Sequence, residues 1–329
     1  MATIVITDIA WPSPAIEFGL AHAAGHEILL AESDEHLLAL APRADAILTC
    51  FRRVPAQVLE AAGRCLTVAR YGVGVDNIDV TRATDLGILV SNVPEFCIEE
   101  VADHTLALTL ATLRNLLPAT DATRGGGWTP EAAFPSRRLR GLVFGVVGFG
   151  ATGRAVAERA AAFGFEVVVS SRALTADSRS APRVVARVVD RDELLQIADV
   201  LSLHVPLNAE TRHLIAAREL AMMKDGALLV NVGRGGLVDT EALRPELERG
   251  RLRVALDVTD PEPLPADHWL RSSPAAMITP HVAFASDGSL VELATKATSN
   301  ALAVLAGRRP PSIVNPEVLL SGLSRSNPQ

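Results

Sequence analysis

Short apolar, β-branched runs recur along the chain, each followed by an Ala/Leu-rich stretch with helical spacing. Ile4–Ile6, Ala46–Leu48, Leu66–Val68 and Ile88–Val90 punctuate the first hundred residues. A second series comprises Leu142–Val147, Glu166–Ser170, Val200–Leu203, Ala227–Val230, Arg253–Leu256 and Ala276–Thr279. Strand–helix alternation at this spacing predicts right-handed βαβ crossovers and buried parallel sheets. Two long helices are expected. One runs from about Ile98 to Leu117, with Glu99 and Glu100 near its start and Arg114 near its end, as the macrodipole favours. The other runs from about Asp287 to Leu305 and stops at Gly307. Residues 124–140 are the most loop-like stretch and separate the two series. The Pro- and Ser-rich tail from Pro310 is expected to be loosely ordered at its end.

Composition adds exclusions. At 329 residues, 49% of them hydrophobic, the chain is long enough for two domains with a core each. With 23 Gly and 20 Pro, the chain has too few of the two for a low-complexity sequence. A net charge of -7 argues against a nucleic-acid or membrane-surface partner. No long uncharged apolar run predicts a membrane span, and Met1–Asp8 reads as a strand rather than a secretory signal, so a cytoplasmic protein is expected. Cys50, Cys65 and Cys97 share no metal-type spacing and read as reduced thiols. The histidines other than His281 form no ligand-spaced pair with nearby acids, and no metal is expected. His204 is a candidate to line a cofactor cleft.

Chemistry enters at Gly148-Phe149-Gly150-Ala151-Thr152-Gly153, which follows the apolar run Leu142–Val147 and opens an Ala-rich helix. Such a string alone is weak, but this one has the strand–turn–helix context that dinucleotide binding needs. Gly148 makes the tight turn, Gly150 lets backbone approach a pyrophosphate, and Gly153 packs helix on strand. Helix N-terminal amides then bind the anion without a basic side chain. An NAD site normally places an acid about 20 residues further on, where it accepts hydrogen bonds from the adenosine ribose. Here Ser171 and Arg172 stand instead, with Arg179 and Arg183 in the following loop. Either Arg172 simply faces solvent, or its planar fork binds a 2′-phosphate. The missing acid and added Arg together favour NADP(H), with NAD(H) as the alternative.

Three further segments carry polar residues at strand ends, where open α/β sheets place their ligands. They are Asn231–Gly236, Leu256–Pro263 and Thr279–Phe284. Arg, Glu and His are what reduction of an anionic carbonyl compound requires: a cation for the anion, an imidazole for the proton, and a carboxylate behind the imidazole. With Arg70–Asp79 and Glu100–His104, these segments resemble the D-isomer-specific 2-hydroxyacid dehydrogenase family, in the expected order across residues 40–317. The resemblance is nearest to the branch of phosphoglycerate dehydrogenase and the C-terminal-binding-protein-like chains.

That resemblance implies two Rossmann-like, doubly wound α/β domains with the active-site cleft between them. Residues 1–100 plus 285–329 would form the substrate domain and 101–284 the dinucleotide-binding domain, closing about the long helices to exclude water. Arg234 matches the arginine that binds the substrate carboxylate and carbonyl oxygen, His281 the acid/base, and Glu262 its carboxylate partner. Asp257 matches the acid that contacts the nicotinamide carboxamide. Val73 and Gly74 correspond to the loop that cradles the substrate carboxylate. Ala151 and Thr152 would lie over the pyrophosphate, with Val205, Pro206, Val232 and Gly233 lining the rest of the cofactor cleft. A homodimer formed through the cofactor domain is implied.

The chain also departs from the family pattern. Thr152 replaces an aliphatic residue, Ser171 an acid, and Phe284 stands where many members have glycine, narrowing the pocket for the substrate side chain. Arg52 and Arg53 follow a strand end and are either solvent-exposed or one of them, with Arg52 the first candidate, binds a second anionic group such as a phosphate, phosphonate or second carboxylate. The expected function is thus an NADPH-preferring reductase of a small anionic 2-oxo acid to its D-2-hydroxy acid. The alternatives are a dehydrogenase of a phosphorylated or phosphonate-bearing hydroxy compound, and a dinucleotide-sensing, corepressor-like binding protein.

Overall fold

The computed structural model describes residues 1–172, 174 and 186–320. The chain divides into two compact units, Met1–Phe96 with Ser286–Gln329, and Cys97–Ala285. Each unit, among its described residues, is built on one wholly parallel sheet.

In the first unit, β1 (Thr3–Ile6), β2 (Glu27–Leu30), β3 (Ala46–Thr49), β4 (Thr67–Arg70) and β5 (Leu89–Ser91) take the order β2-β1-β3-β4-β5. The whole of β3, β4 and β5 is buried, which is why consecutive apolar residues rather than an alternating pattern mark them, with Thr49, Arg70 and Ser91 at their carboxyl ends. The strand missed in the sequence is β2, an edge strand with no fully buried residue. Helix Asp287–Leu305 returns to pack against β3, β4 and β5, and Asn315 then seals the β5 edge. Its Oδ1 accepts from the Val90 N–H at 2.7 Å and its Nδ2 donates to the Ile88 carbonyl at 3.0 Å, pairing backbone that would otherwise be open.

In the second unit, β6 (Val143–Val147), β7 (Glu166–Ser170), β8 (Arg187–Val188), β9 (Val200–Leu203), β10 (Leu228–Asn231), β11 (Arg253–Leu256) and β12 (Ala276–Ile278) take the order β12-β11-β10-β9-β6-β7-β8. One face of this sheet packs on helices Ile98–Leu113 and Ala151–Ala162. The other packs on helices that include Arg191–Ile197, Ala217–Met222 and Thr240–Glu248. The strand order reverses between β6 and β9, so the crevice at their carboxyl ends is the place where such a sheet takes a ligand.

The helix expected to run from Ile98 to Leu117 ends at Leu113. Asn115 adopts a left-handed conformation (φ 49°), and a separate helix, Leu116–Arg124, follows. Tertiary bonds cause the break: Asn115 Nδ2 donates to the carbonyls of Ala133 (3.1 Å) and Pro135 (2.8 Å), while its Oδ1 accepts from Arg253 (2.8 Å).

Candidate active site

Each glycine after β6 has its own reason to be glycine. Gly148 has φ 92°, and a Cβ there would lie 2.4 Å from the His204 carbonyl oxygen and 2.7 Å from Val205 Cγ1. Its N–H donates to the Ser170 carbonyl at 2.9 Å, while the His204 N–H donates to Val147 at 2.7 Å. The turn is therefore wedged between the ends of β7 and β9. Gly153, in the first turn of helix Ala151–Ala162, would place a Cβ 2.2 Å from the Gly148 carbonyl oxygen. Between them Gly150, the N-cap, looks onto open space, with nothing within 4 Å of where its Cβ would be. A tight turn, a close helix–strand contact and an uncrowded helix N-terminus are the geometry that fits a dinucleotide pyrophosphate.

The flanking walls come from neighbouring strand ends. His204 Nε2 pairs with Ser202 Oγ at 2.8 Å, and desolvation brings its pKa down to about 4, so the ring is neutral at pH 7. Thr211 Oγ1 donates to the Pro206 carbonyl at 2.6 Å and fixes the loop after β9. Val232 is buried at the end of β10. At the other side Ser171 directly follows β7, and the exposed Arg172 reaches Glu210 at 2.5 Å. Arg179 and Arg183 lie outside the described residues.

Arg234, Glu262 and His281 leave three adjacent strands at one edge of the same sheet. The ladder continues past the strands: Asp257 N–H donates to the Asn231 carbonyl (2.9 Å) and His281 N–H to the Asp257 carbonyl (2.8 Å). His281 Nδ1 lies 2.5 Å from Glu262 Oε1, and the Phe284 ring meets the imidazole edge-on with centroids 6.1 Å apart. With the carboxylate accepting from Nδ1–H, the ring is oriented through that nitrogen, an arrangement in which Nε2 can exchange a proton. Asn231 shapes the arginine loop, its Nδ2 donating to the Arg234 carbonyl (2.9 Å) and its Oδ1 accepting from Gly233 N–H (3.1 Å). Gly235 lies so close to Thr259 that a Cβ would fall 2.0 Å from that residue's carbonyl atoms, so the loops bearing Arg234 and Glu262 interlock.

In the first unit, Gly72 (φ 135°) turns the chain over the Arg70 guanidinium ahead of Val73 and Gly74. Asn92 Nδ2 holds this turn through the Val73 carbonyl at 2.7 Å. Arg52 Nη2 donates to the Glu32 carbonyl (3.3 Å) and its Nε lies 3.6 Å from Asp34, while Arg53 is exposed. The Asp8 carboxylate accepts from the N–H groups of Cys50 (3.0 Å), Phe51 (2.7 Å) and Arg52 (3.1 Å).

Residues 106–283 match the model of the D-isomer-specific 2-hydroxyacid dehydrogenase NAD-binding domain. The chain belongs to the D-isomer-specific 2-hydroxyacid dehydrogenase family. It is 39% identical over 294 residues to a glyoxylate reductase of Aeropyrum pernix, covering 87% of each chain. Among solved structures, the TT0316 protein of Thermus thermophilus superposes with a TM-score of 0.86 at 38% identity, covering 95% of this chain and 99% of the other. A glyoxylate reductase from Paecilomyes thermophila superposes with a TM-score of 0.85 at 28% identity, covering 96% and 99%.

This dehydrogenase is therefore an oxidoreductase acting on a CH–OH group with a nicotinamide cofactor. Among its described residues no group of three or more His, Cys, Asp or Glu side chains could hold a metal, and no helix is long and apolar enough to cross a membrane. Asn231 enters the sequence reading only as the start of a polar strand-end segment and Asn92 not at all, yet each shapes a loop that carries a predicted site residue. Asn231 is followed by Val232 and Gly233 and Asn92 by Val93 and Pro94, so the two share no local pattern, and an asparagine near a strand end is common to ordinary turns.

Proposed function

We propose that the protein reduces a small 2-oxo acid of the glyoxylate type to the hydroxy acid, using NADPH in preference to NADH. The observation that carries the reading is the His281–Glu262 pair at 2.5 Å, at the carboxyl ends of strands in the same sheet as a glycine turn that fits a pyrophosphate. The names of the relatives support the substrate class. A nicotinamide cofactor, held through the turn of Gly148, Gly150 and Gly153, would supply the hydride. Arg234 holds the substrate carboxylate and draws electron density toward the carbonyl oxygen. His281 Nε2 gives its proton to that oxygen as the hydride reaches carbon, and Glu262 keeps the ring aimed through Nδ1.

The NADPH preference rests on Ser171 and Arg172. The Arg172–Glu210 pair is solvent-exposed on both sides and therefore weak, so a phosphate dianion competes well for the guanidinium. Glyoxylate, hydroxypyruvate, pyruvate and phosphohydroxypyruvate assayed with both cofactors in parallel test the reading. Glyoxylate turnover with a kcat/KM at least about tenfold higher for NADPH is the expected result. Ser171→Asp should reverse that preference, because an acid there repels the 2′-phosphate. Equal or better use of NADH by the unaltered enzyme overturns the assignment.

We also infer a homodimer through the second unit. Helix Leu116–Arg124 has no buried residue, and Leu116, Leu117, Trp128 and Phe134 are all at least half exposed. That much apolar surface in one segment marks an interface, and a second copy of the chain is the occupant family membership favours. Light scattering should give twice the chain mass of 34.8 kDa for the wild type. Leu117→Ser combined with Trp128→Ser should give the single-chain mass at micromolar concentration. A wild type that is already monomeric there removes the inference.

A further inference from the structure

We propose that His104, on helix Ile98–Leu113, is a positioning residue for His281 and acts through Thr279 and Asp257. The inference rests on the acid/base role given to His281 above. Its basis is a chain of hydrogen bonds that joins residues 175 positions apart in sequence. His104 Nε2 lies 3.0 Å from Thr279 Oγ1, and Thr279 Oγ1 lies 2.6 Å from Asp257 Oδ1. The Asp257 carboxylate also accepts the N–H of Val282 on Oδ1 and of Ala283 on Oδ2, both at 2.9 Å.

Proton bookkeeping sets the direction of this chain. Thr279 has one hydroxyl proton, and the carboxylate, which can only accept, takes it. Thr279 Oγ1 must then accept from His104, which assigns the His104 proton to Nε2. The same nitrogen lies 3.6 Å from Asp257 Oδ1, so His104 also faces the carboxylate it helps to orient. The Asp257 side chain has no solvent exposure, and a buried carboxylate holds its orientation only while its lone pairs are matched.

What Asp257 grips is the backbone on both sides of the catalytic imidazole. Its carbonyl accepts the His281 N–H, and its carboxylate takes the next two N–H groups along the chain. His281 itself sits at φ 53°, a left-handed conformation that is unfavourable for a non-glycine residue. Such a conformation persists only where the surroundings over-determine it. Glu262 aims the ring, whereas the Asp257 clamp sets where the ring starts from. Without the His104 donor, Thr279 Oγ1 can turn away from Asp257 and the clamp loses its shortest bond. The imidazole then drifts from the geometry that proton transfer needs.

The test compares His104→Phe, which keeps a ring but no donor, with His104→Gln, whose amide N–H falls near the position of Nε2. In His104→Phe, kcat for glyoxylate reduction should fall about 10- to 100-fold, with the KM for glyoxylate and the Kd for NADPH within about twofold of wild type. His104→Gln should recover most of the loss. Thr279→Val, which removes the intervening hydroxyl, should repeat the kcat loss and covers the case in which the Phe variant folds poorly. In the apoprotein labelled with ¹³C-histidine, the His281 ring signals should move in the Phe and Val variants and stay in place in the Gln variant. Wild-type kcat and unmoved His281 signals in the Phe and Val variants overturn the proposal, as does an equal kcat loss in the Gln variant. If the wild type turns over no 2-oxo acid at all, the acid/base reading fails instead. The apoprotein spectra then still decide whether His104 holds the loop.

Discussion

Replacing His281 by Asn lowers kcat for 2-oxo acid reduction about a thousandfold, while the Kd for NADPH, measured by calorimetry, stays within about twofold. Asparagine is the informative replacement because it tolerates the left-handed backbone (φ 53°) found at this position better than most side chains. The clamp from Asp257 then survives, and what is lost is the proton donor. On the proposed reading the histidine donates from Nε2, because Glu262 pairs with Nδ1 at 2.5 Å. Glu262→Gln should be milder, lowering kcat about 10- to 100-fold, since the amide oxygen can still accept from Nδ1–H but carries no charge to meet the imidazolium. Steady-state kinetics with saturating NADPH checks both. A His281→Asn enzyme within tenfold of wild-type kcat would mean that the proton comes from elsewhere.

The strands that carry this chemistry were readable from the chain because they are central and parallel. Burial on both faces makes β10 apolar up to its last residue, Asn231, and β9 apolar but for Ser202, with His204 directly after it; the polar residue at each carboxyl end marks where the strand leaves the core. Edge strands lack that signature. Glu27–Leu30 is only partly buried and Arg187–Val188 is two residues long, so neither stands out from its neighbours. The break at Asn115 was hidden for a different reason. The apolar pattern runs straight through it, and the left-handed turn is imposed by Ala133, Pro135 and Arg253, none of them local.

Site residues divide along the same line. Gly148 and Gly153 announce themselves because backbone packed within 2.4 Å of a would-be Cβ leaves glycine no substitute, and their spacing follows from one turn and one helix. The His104–Thr279–Asp257 chain has no such spacing. It exists only because helix Ile98–Leu113 crosses the sheet where β11 and β12 end. Contacts of that kind are set by packing and leave no period in the sequence.

Arg234 offers the other large effect. Arg234→Gln should lower kcat/KM for glyoxylate about 30- to 3,000-fold, the range expected when one side of a buried charged hydrogen-bonded pair is cut away. Its backbone is held on both sides, by Asn231 through the Arg234 carbonyl at 2.9 Å and by the packing of Gly235 on Thr259. The guanidinium Nη1 donates to the Gly233 carbonyl at 2.9 Å, which further limits where the fork can point. A planar fork so held matches a carboxylate with two parallel bonds, and a lysine ammonium does not. Arg234→Lys should therefore recover only part of the loss, although it restores the charge. If Arg234 also polarises the carbonyl, kcat falls along with the rise in KM, whereas loss of anchoring alone raises KM and leaves kcat in place. The Kd for NADPH should not move in either variant. A glutamine variant that keeps kcat/KM within about threefold would remove Arg234 from the substrate site, and a lysine variant as active as wild type would show that charge rather than the fork is what the carboxylate reads.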